Sequence, residues 1–168
     1  MSAQPPCVRA FVALGANIGE PVQHLRAAVR DLDALPATRV AARSSLYRSA
    51  PVGLLNQPDF INAVVAVDTG LPPLELLRQL MAIEAVHGRV RSIPNAPRTL
   101  DLDLLLHGDS VMAETELTLP HPRMHQRAFV LLPLLEIAPD VTLPGGLGLA
   151  RSFLDQVAGQ DIHRFEAL

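Results

Sequence analysis

Asp101 and Asp103 stand two residues apart in the stretch Arg98-Thr99-Leu100-Asp101-Leu102-Asp103-Leu104-Leu105-Leu106, the spacing of two ligands on one side of a β-strand. Successive strand side chains point to opposite faces, so Thr99, Asp101, Asp103 and Leu105 share one face while Leu100, Leu102, Leu104 and Leu106 line the other. The leucine face predicts a core. The aspartate face sets two like charges roughly 7 Å apart at the Cα atoms, beside an apolar layer where unpaired charge is costly. A cation there satisfies both carboxylates. Mg²⁺ is the best match, because hard divalent ions take carboxylate oxygens and bridge to substrate phosphates.

By itself an Asp-x-Asp pair reads more readily as the solvated face of a half-exposed strand. Here Arg89, Arg91 and Arg98 lie just upstream, and His121, Arg123, His125 and Arg127 lie downstream. Acid for a metal and base for phosphate are therefore gathered in one stretch of chain. Arg89 and Arg91 fall on the same side of an extended segment, where two guanidinium groups can grip a polyphosphate bidentately. His121 and His125 are four apart, but Pro122 breaks helical geometry between them and no H-E-x-x-H pattern exists, which excludes a zinc hydrolase of that kind. Gly15-Ala16-Asn17-Ile18-Gly19 is neither a dinucleotide fingerprint nor a phosphate loop, and it reads as a tight turn or as a substrate-lining segment. Phe60 and Phe129 fit either a core or a pair of rings clamping a flat ligand, and spacing does not choose.

The elements that position these residues follow from the apolar pattern. Val8 to Leu14 reads as a first strand, and a helix follows from Pro21 with Leu25, Ala28, Val29 and Leu32 on one face and Pro36 as its stop. Arg39 to Tyr47 reads as a second strand and Phe60 to Asp68 as a third. Pro73 opens a second helix on which Leu74, Leu77, Leu80, Met81 and Glu84 follow the three-and-four spacing up to about His87. The Asp-x-Asp strand is the fourth. This order predicts an α+β fold, a ferredoxin-like βαββαβ sheet with helices on one face and a C-terminal extension. The extension comprises an edge hairpin over Met112 to Leu119, a helix from Arg123 to Leu132 interrupted at Pro133, and a short helix over Ser152 to Val157.

Composition narrows the class. The 168 residues are 49% hydrophobic with a formal net charge of −3, which suits one globular domain over 1–168 and argues against a partner that is a polyanion. Cys7 is the only cysteine, so no internal disulfide or thiolate zinc site can form. The first residues lack a basic n-region and an apolar h-region, and no apolar run reaches the roughly 18 residues of a membrane span. These features predict a cytoplasmic protein with small-molecule partners, no nucleic acid and no membrane.

Six segments in order resemble 6-hydroxymethyl-7,8-dihydropterin pyrophosphokinase: Ala13 to Gly19, Ser45 to Gly53, Gln57 to Ala63, Gly88 to Arg91, Pro97 to Asp103 and Pro120 to Met124. The pairing of Gly-Arg-x-Arg with Pro-Arg-Thr-Leu-Asp-Leu-Asp is specific to that family. The resemblance implies an ATP-dependent diphosphotransferase of folate biosynthesis that moves the β,γ-diphosphate of ATP onto the pterin hydroxymethyl group and releases AMP. It implies two Mg²⁺ ions on Asp101 and Asp103, with Arg89, Arg91 and Arg98 as catalytic phosphate-orienting groups. It places Glu84, Arg89, Arg98, His121 and Arg127 along ATP, and Ser49, Ala50, Val52, Phe60, Asn62 and Phe129 around the pterin. It also implies a monomer. The chain departs from the family pattern in having no tryptophan, in a loop between Arg91 and Arg98 that is one residue shorter, in Phe60 where tyrosine is common, and in Met81 where a more polar residue lies near the adenine. The rival readings are a ligand-binding regulatory domain of the same fold and a Mg²⁺-dependent phosphohydrolase.

Overall fold

The computed structural model describes residues 7–51, 56–88 and 99–168. The chain begins with β1 (Val8–Ala16), turns at Gly19, and enters α1 (Pro21–Asp33) with a proline in its first turn. The expected face of α1 is the buried one, Leu25, Ala28, Val29 and Leu32. The segment read as one second strand is two, β2 (Thr38–Arg43) and β3 (Ser45–Ser49). Ser44 makes the break: its N–H donates to Val64 O (2.9 Å) and its Oγ accepts from Val64 N–H (2.9 Å). β4 (Phe60–Thr69), α2 (Pro73–Val86) and β5 (Asp101–His107) follow.

Beyond them lie the expected hairpin, β6 (Met112–Ala113) with β7 (Thr118–Leu119), and a 3-10 turn over Met124–Gln126 that leads into α3 (Ala128–Ile137). Pro133 sits inside α3 and does not interrupt it. A proline there removes a backbone bond at a cost of about 3 kcal/mol. Leu131 and Leu134 on either side are fully buried, and that packing outweighs the loss. A second small hairpin, β8 (Thr142–Leu143) with β9 (Gly148–Leu149), precedes the short α4 (Leu154–Val157) and a last strand, β10 (Ile162–Ala167).

Among the described residues the main sheet has six strands, in the order β10-β3-β4-β1-β5 with β2 also on β4, and every pairing is antiparallel. One face carries Ala10, Val12, Leu14 and Ala16 against α1 and against Leu76, Leu80 and Ile83 of α2. The other carries Phe11, Ala13, Val64 and Ala66 against Val130, Leu131 and Leu134 of α3. The expectation of helices on one face thus holds for α1 and α2 only, because α3 covers the second face. Two readings of pattern also change. On α2 the buried residues are Leu76, Leu80, Ile83 and Glu84, while Met81 is 47% exposed: apolar residues surround so much of this helix that periodicity cannot pick the inward side. Leu106 joins Leu105 on the second face, because a register shift opposite Phe11 and Val12 inserts an extra residue into β5.

Candidate active site

The site is a row of residues crossing the sheet. In register, Asp101 of β5 faces Gly15 of β1, Gly15 faces Asn62 of β4, and Asn62 faces Tyr47 of β3. Strands lie about 4.8 Å apart, so the backbone distance from Asp101 to Asn62 is roughly 10 Å. Gly15 leaves the floor between them bare, and a Cβ placed there would stand 3.4 Å from Asn62 Oδ1. Over this row lies a cavity of about 930 Å³. Asp101, Asp103, Gly15, Asn62, Ser49, Ala50 and Phe60 form its sheet side; Arg123, Gln126, Arg127 and Phe129 form the wall at the start of α3; Gln160, Asp161 and Ile162 complete the rim.

Each group is held by its neighbours. Buried Asn62 donates from Nδ2 to Ser49 Oγ at 2.7 Å, tying two expected pterin contacts together. Asn17 donates from Nδ2 to Gln57 Oε1 (2.8 Å) and Pro58 O (3.0 Å), which pins the end of β1 to the segment leading into Phe60. Within the 15–19 segment Gly19 serves as the turn at φ 67°, and Gly15 lines the cavity. The Arg127 guanidinium carbon lies 5.4 Å from the Phe129 ring centre, a cation over an aromatic face.

His121 lies beside this cavity and outside its lining. Burial, aided by Arg127 and then Arg123 and opposed by Asp101, pushes its imidazole down to about 4, so it is neutral at physiological pH. Its Nδ1 accepts from Arg123 N–H at 3.2 Å, which assigns the remaining proton to Nε2. Glu84 also lies outside the lining. It is buried beneath the start of β5, where a carboxylate oxygen accepts from Leu102 N–H at 2.8 Å and so satisfies a donor on an edge strand, next to Asp101.

Ser49, Ala50, Phe60, Asn62, Asp101, Asp103, Arg127 and Phe129 are thus brought to one cavity. Val52, Arg89, Arg91 and Arg98 lie outside the described residues. Gly15 as an open floor and Arg123 beyond its charge carry no signal in the sequence pattern, and neither do the lining residues Gln126, Gln160, Asp161 and Ile162. Among the described residues no three His, Cys, Asp or Glu side chains could cage a metal ion. Two aspartates on one face of a strand instead offer an open oxygen set, which fits Mg²⁺ completed by phosphate and water and does not fit a four-ligand zinc centre.

Residues 11–139 match the sequence model of the family described as 7,8-dihydro-6-hydroxymethylpterin-pyrophosphokinase, abbreviated HPPK. The chain belongs to the HPPK family. The HPPK match spans the strand row, both aspartates and the start of α3, and ends before the Gln160 to Ile162 rim. The chain is 50% identical over 138 residues to a Pseudomonas aeruginosa protein named 2-amino-4-hydroxy-6-hydroxymethyldihydropteridine pyrophosphokinase, covering 82% of this chain and 85% of that one. A Haemophilus influenzae protein of the same name is 46% identical over 137 residues, covering 82% and 86%. Among solved structures, a Plasmodium falciparum HPPK-DHPS chain superposes with a TM-score of 0.73 at 15% identity, which speaks to fold alone. That match takes in 92% of this chain and only 46% of the Plasmodium one.

Proposed function

We propose that this protein transfers the β,γ-diphosphate of ATP to the hydroxymethyl oxygen of 6-hydroxymethyl-7,8-dihydropterin, giving the pterin diphosphate and AMP in folate biosynthesis. The observation that carries the reading is the shared cavity: a carboxylate pair for metal-bound phosphate and, two strands away, an aromatic and amide end for a flat polar ring. In the transfer the hydroxymethyl oxygen forms a bond to the β-phosphorus, the bond to the oxygen bridging α and β breaks, and the hydroxyl proton is lost. Asp101 and Asp103 are the residues that would hold two Mg²⁺ ions, which when bound neutralise phosphate charge and lower the pKa of the attacking hydroxyl.

The chain's own groups account for the rest by positioning. Phe60 and Phe129 flank the ring, and Asn62, Ser49, Ala50 and Val52 complement its edge, so that analogues lacking the matching donors and acceptors leave buried polar groups unpaired. Arg89, Arg91 and Arg98 orient phosphates. Arg127, with Arg123 on the same wall, adds positive charge facing the aspartates. Neutral His121, carrying its proton on Nε2, is a hydrogen-bond donor available to a phosphate oxygen across physiological pH. Glu84 acts on the nucleotide side by fixing the start of β5.

Strand order, with β2 and β3 counted as one interrupted strand, supports a ferredoxin-like kernel within a single domain over 1–168. A monomer is the working unit proposed, on the strength of the family resemblance. No helix among the described residues is long and apolar enough to cross a membrane, and the use of ATP supports a cytoplasmic location. The test is product analysis with ATP, Mg²⁺ and the reduced pterin. Pterin-dependent AMP and pterin diphosphate are expected. ADP or phosphate released without pterin would replace this reading with a hydrolase, and binding without turnover would replace it with a regulatory domain.

A further inference from the structure

The first turn of α3 carries Phe129 and follows Arg127, yet the residue at its N-cap position, Arg127, gives no side-chain cap. The missing partner comes from far along the chain. Gln160 Oε1 accepts from Ala128 N–H at 2.9 Å, and Gln160 Nε2 donates to Gln126 O at 2.9 Å. One side-chain amide therefore straddles Arg127, holding the backbone group just before it and the one just after. Gln160 is itself fixed: its N–H donates to Val157 O at 3.0 Å, and two residues later Ile162 pairs with Ser49 on β3. Ser49 is the acceptor of the Asn62 bond, so the segment 160–162 links the two opposing walls of the cavity at its aromatic end.

We infer that Gln160 is a positioning residue for the pterin end of the site, acting through the backbone of 126–128 to set the directions of Arg127 and Phe129. The inference rests on the proposed function. An unsatisfied first-turn donor frays a helix start, and the residues at that start lose their fixed direction.

The experiment compares Gln160→Leu, which keeps bulk and removes both bonds, with Gln160→Glu, which keeps an acceptor for Ala128 N–H at a helix N-terminus where negative charge is favourable. Pterin dissociation constants, steady-state constants and thermal midpoints are measured for each, together with hydrogen exchange at the Ala128 amide. Gln160→Leu is expected to lose protection at Ala128 and to raise the pterin KM about five-fold or more, the effect of losing one cap. Because Arg127 turns with the same backbone, the ATP KM should rise as well, and Gln160→Glu should recover most of the affinity for both ligands. Wild-type pterin affinity in Gln160→Leu overturns the assignment, as does an equal loss in both variants that tracks their thermal midpoints. Absence of pterin binding by the wild-type chain overturns the functional reading, and this assignment with it.

Discussion

Gly15 offers a test in which stability and function are expected to move apart. Its backbone lies outside the left-handed region, so alanine is allowed there. Replacing a strand glycine by alanine restricts the unfolded chain and is worth about 0.4–1 kcal/mol of stability when the new methyl fits. The Cβ would sit 3.4 Å from Asn62 Oδ1 and 3.9 Å from Ile61 O, ordinary contact at its inner limit. Gly15→Ala should therefore raise the thermal midpoint by about 1–4 °C for a chain of this size and leave pterin affinity nearly unchanged. Gly15→Val places further methyl groups on the floor. Asn62 must then swing away from Ser49 and from any ring above it, losing a buried hydrogen bond worth about 1–3 kcal/mol, or roughly 5- to 150-fold in pterin affinity. Asp101 contributes no atom within 4 Å of that Cβ, so ATP affinity should fall far less. Calorimetric titration of each ligand, with a thermal scan of each variant, reads all three quantities. Wild-type pterin affinity in Gly15→Val, or equal losses for the two ligands, would refute the view of Gly15 as the floor beside Asn62.

Other outcomes follow from the same geometry. Asp101→Asn removes one of the two proposed metal ligands without removing volume, so turnover at saturating Mg²⁺ should nearly vanish while the thermal midpoint stays within a few degrees; near-normal turnover would exclude Asp101 as a metal ligand. Glu84→Leu keeps the bulk and strips Leu102 N–H of its acceptor, a loss of about 1–3 kcal/mol that should lower the midpoint by several degrees, and an unchanged melting curve would contradict it. His121 has a folded-state pKa near 4 against an ordinary 6.5, so the unfolded chain binds the extra proton first. Its contribution to stability is complete above pH 6.5 and is lost as pH falls toward 4. His121→Gln should therefore show a shallower fall in thermal midpoint across that window than wild type, and parallel curves would rule the effect out.

The elements legible in the sequence were those whose periodicity matches a single buried face. α1 shows its inward residues as a clean stripe, and Asp101 and Asp103 share a face because nothing interrupts β5 between them. Where burial is two-sided or all-round, pattern loses its meaning: α2 is apolar on several sides, and β4 is buried on both faces. Long-range partners left no local trace. The Ser44 break depends on Val64, the Leu106 displacement on the ladder to β1, and the placing of Gln160 on a strand whose residues after Ile162 are exposed and polar enough to suit a loop. Phe60, Asn62 and Phe129 were assigned through resemblance, since spacing alone offered no reason to separate a ring clamp from a core.

The row from Asp101 to Asn62 has a consequence for how such a protein can diverge. Its carboxylate end and its amide end are built on different strands, β5 on one side and β4 with β3 on the other, so under the proposed function the phosphate contacts can vary while the ring contacts are preserved. Among the described strands β1 alone borders both. A substitution at Gly15 would have to satisfy both ends at once, because Gly15 faces Asp101 on one side and Asn62 on the other.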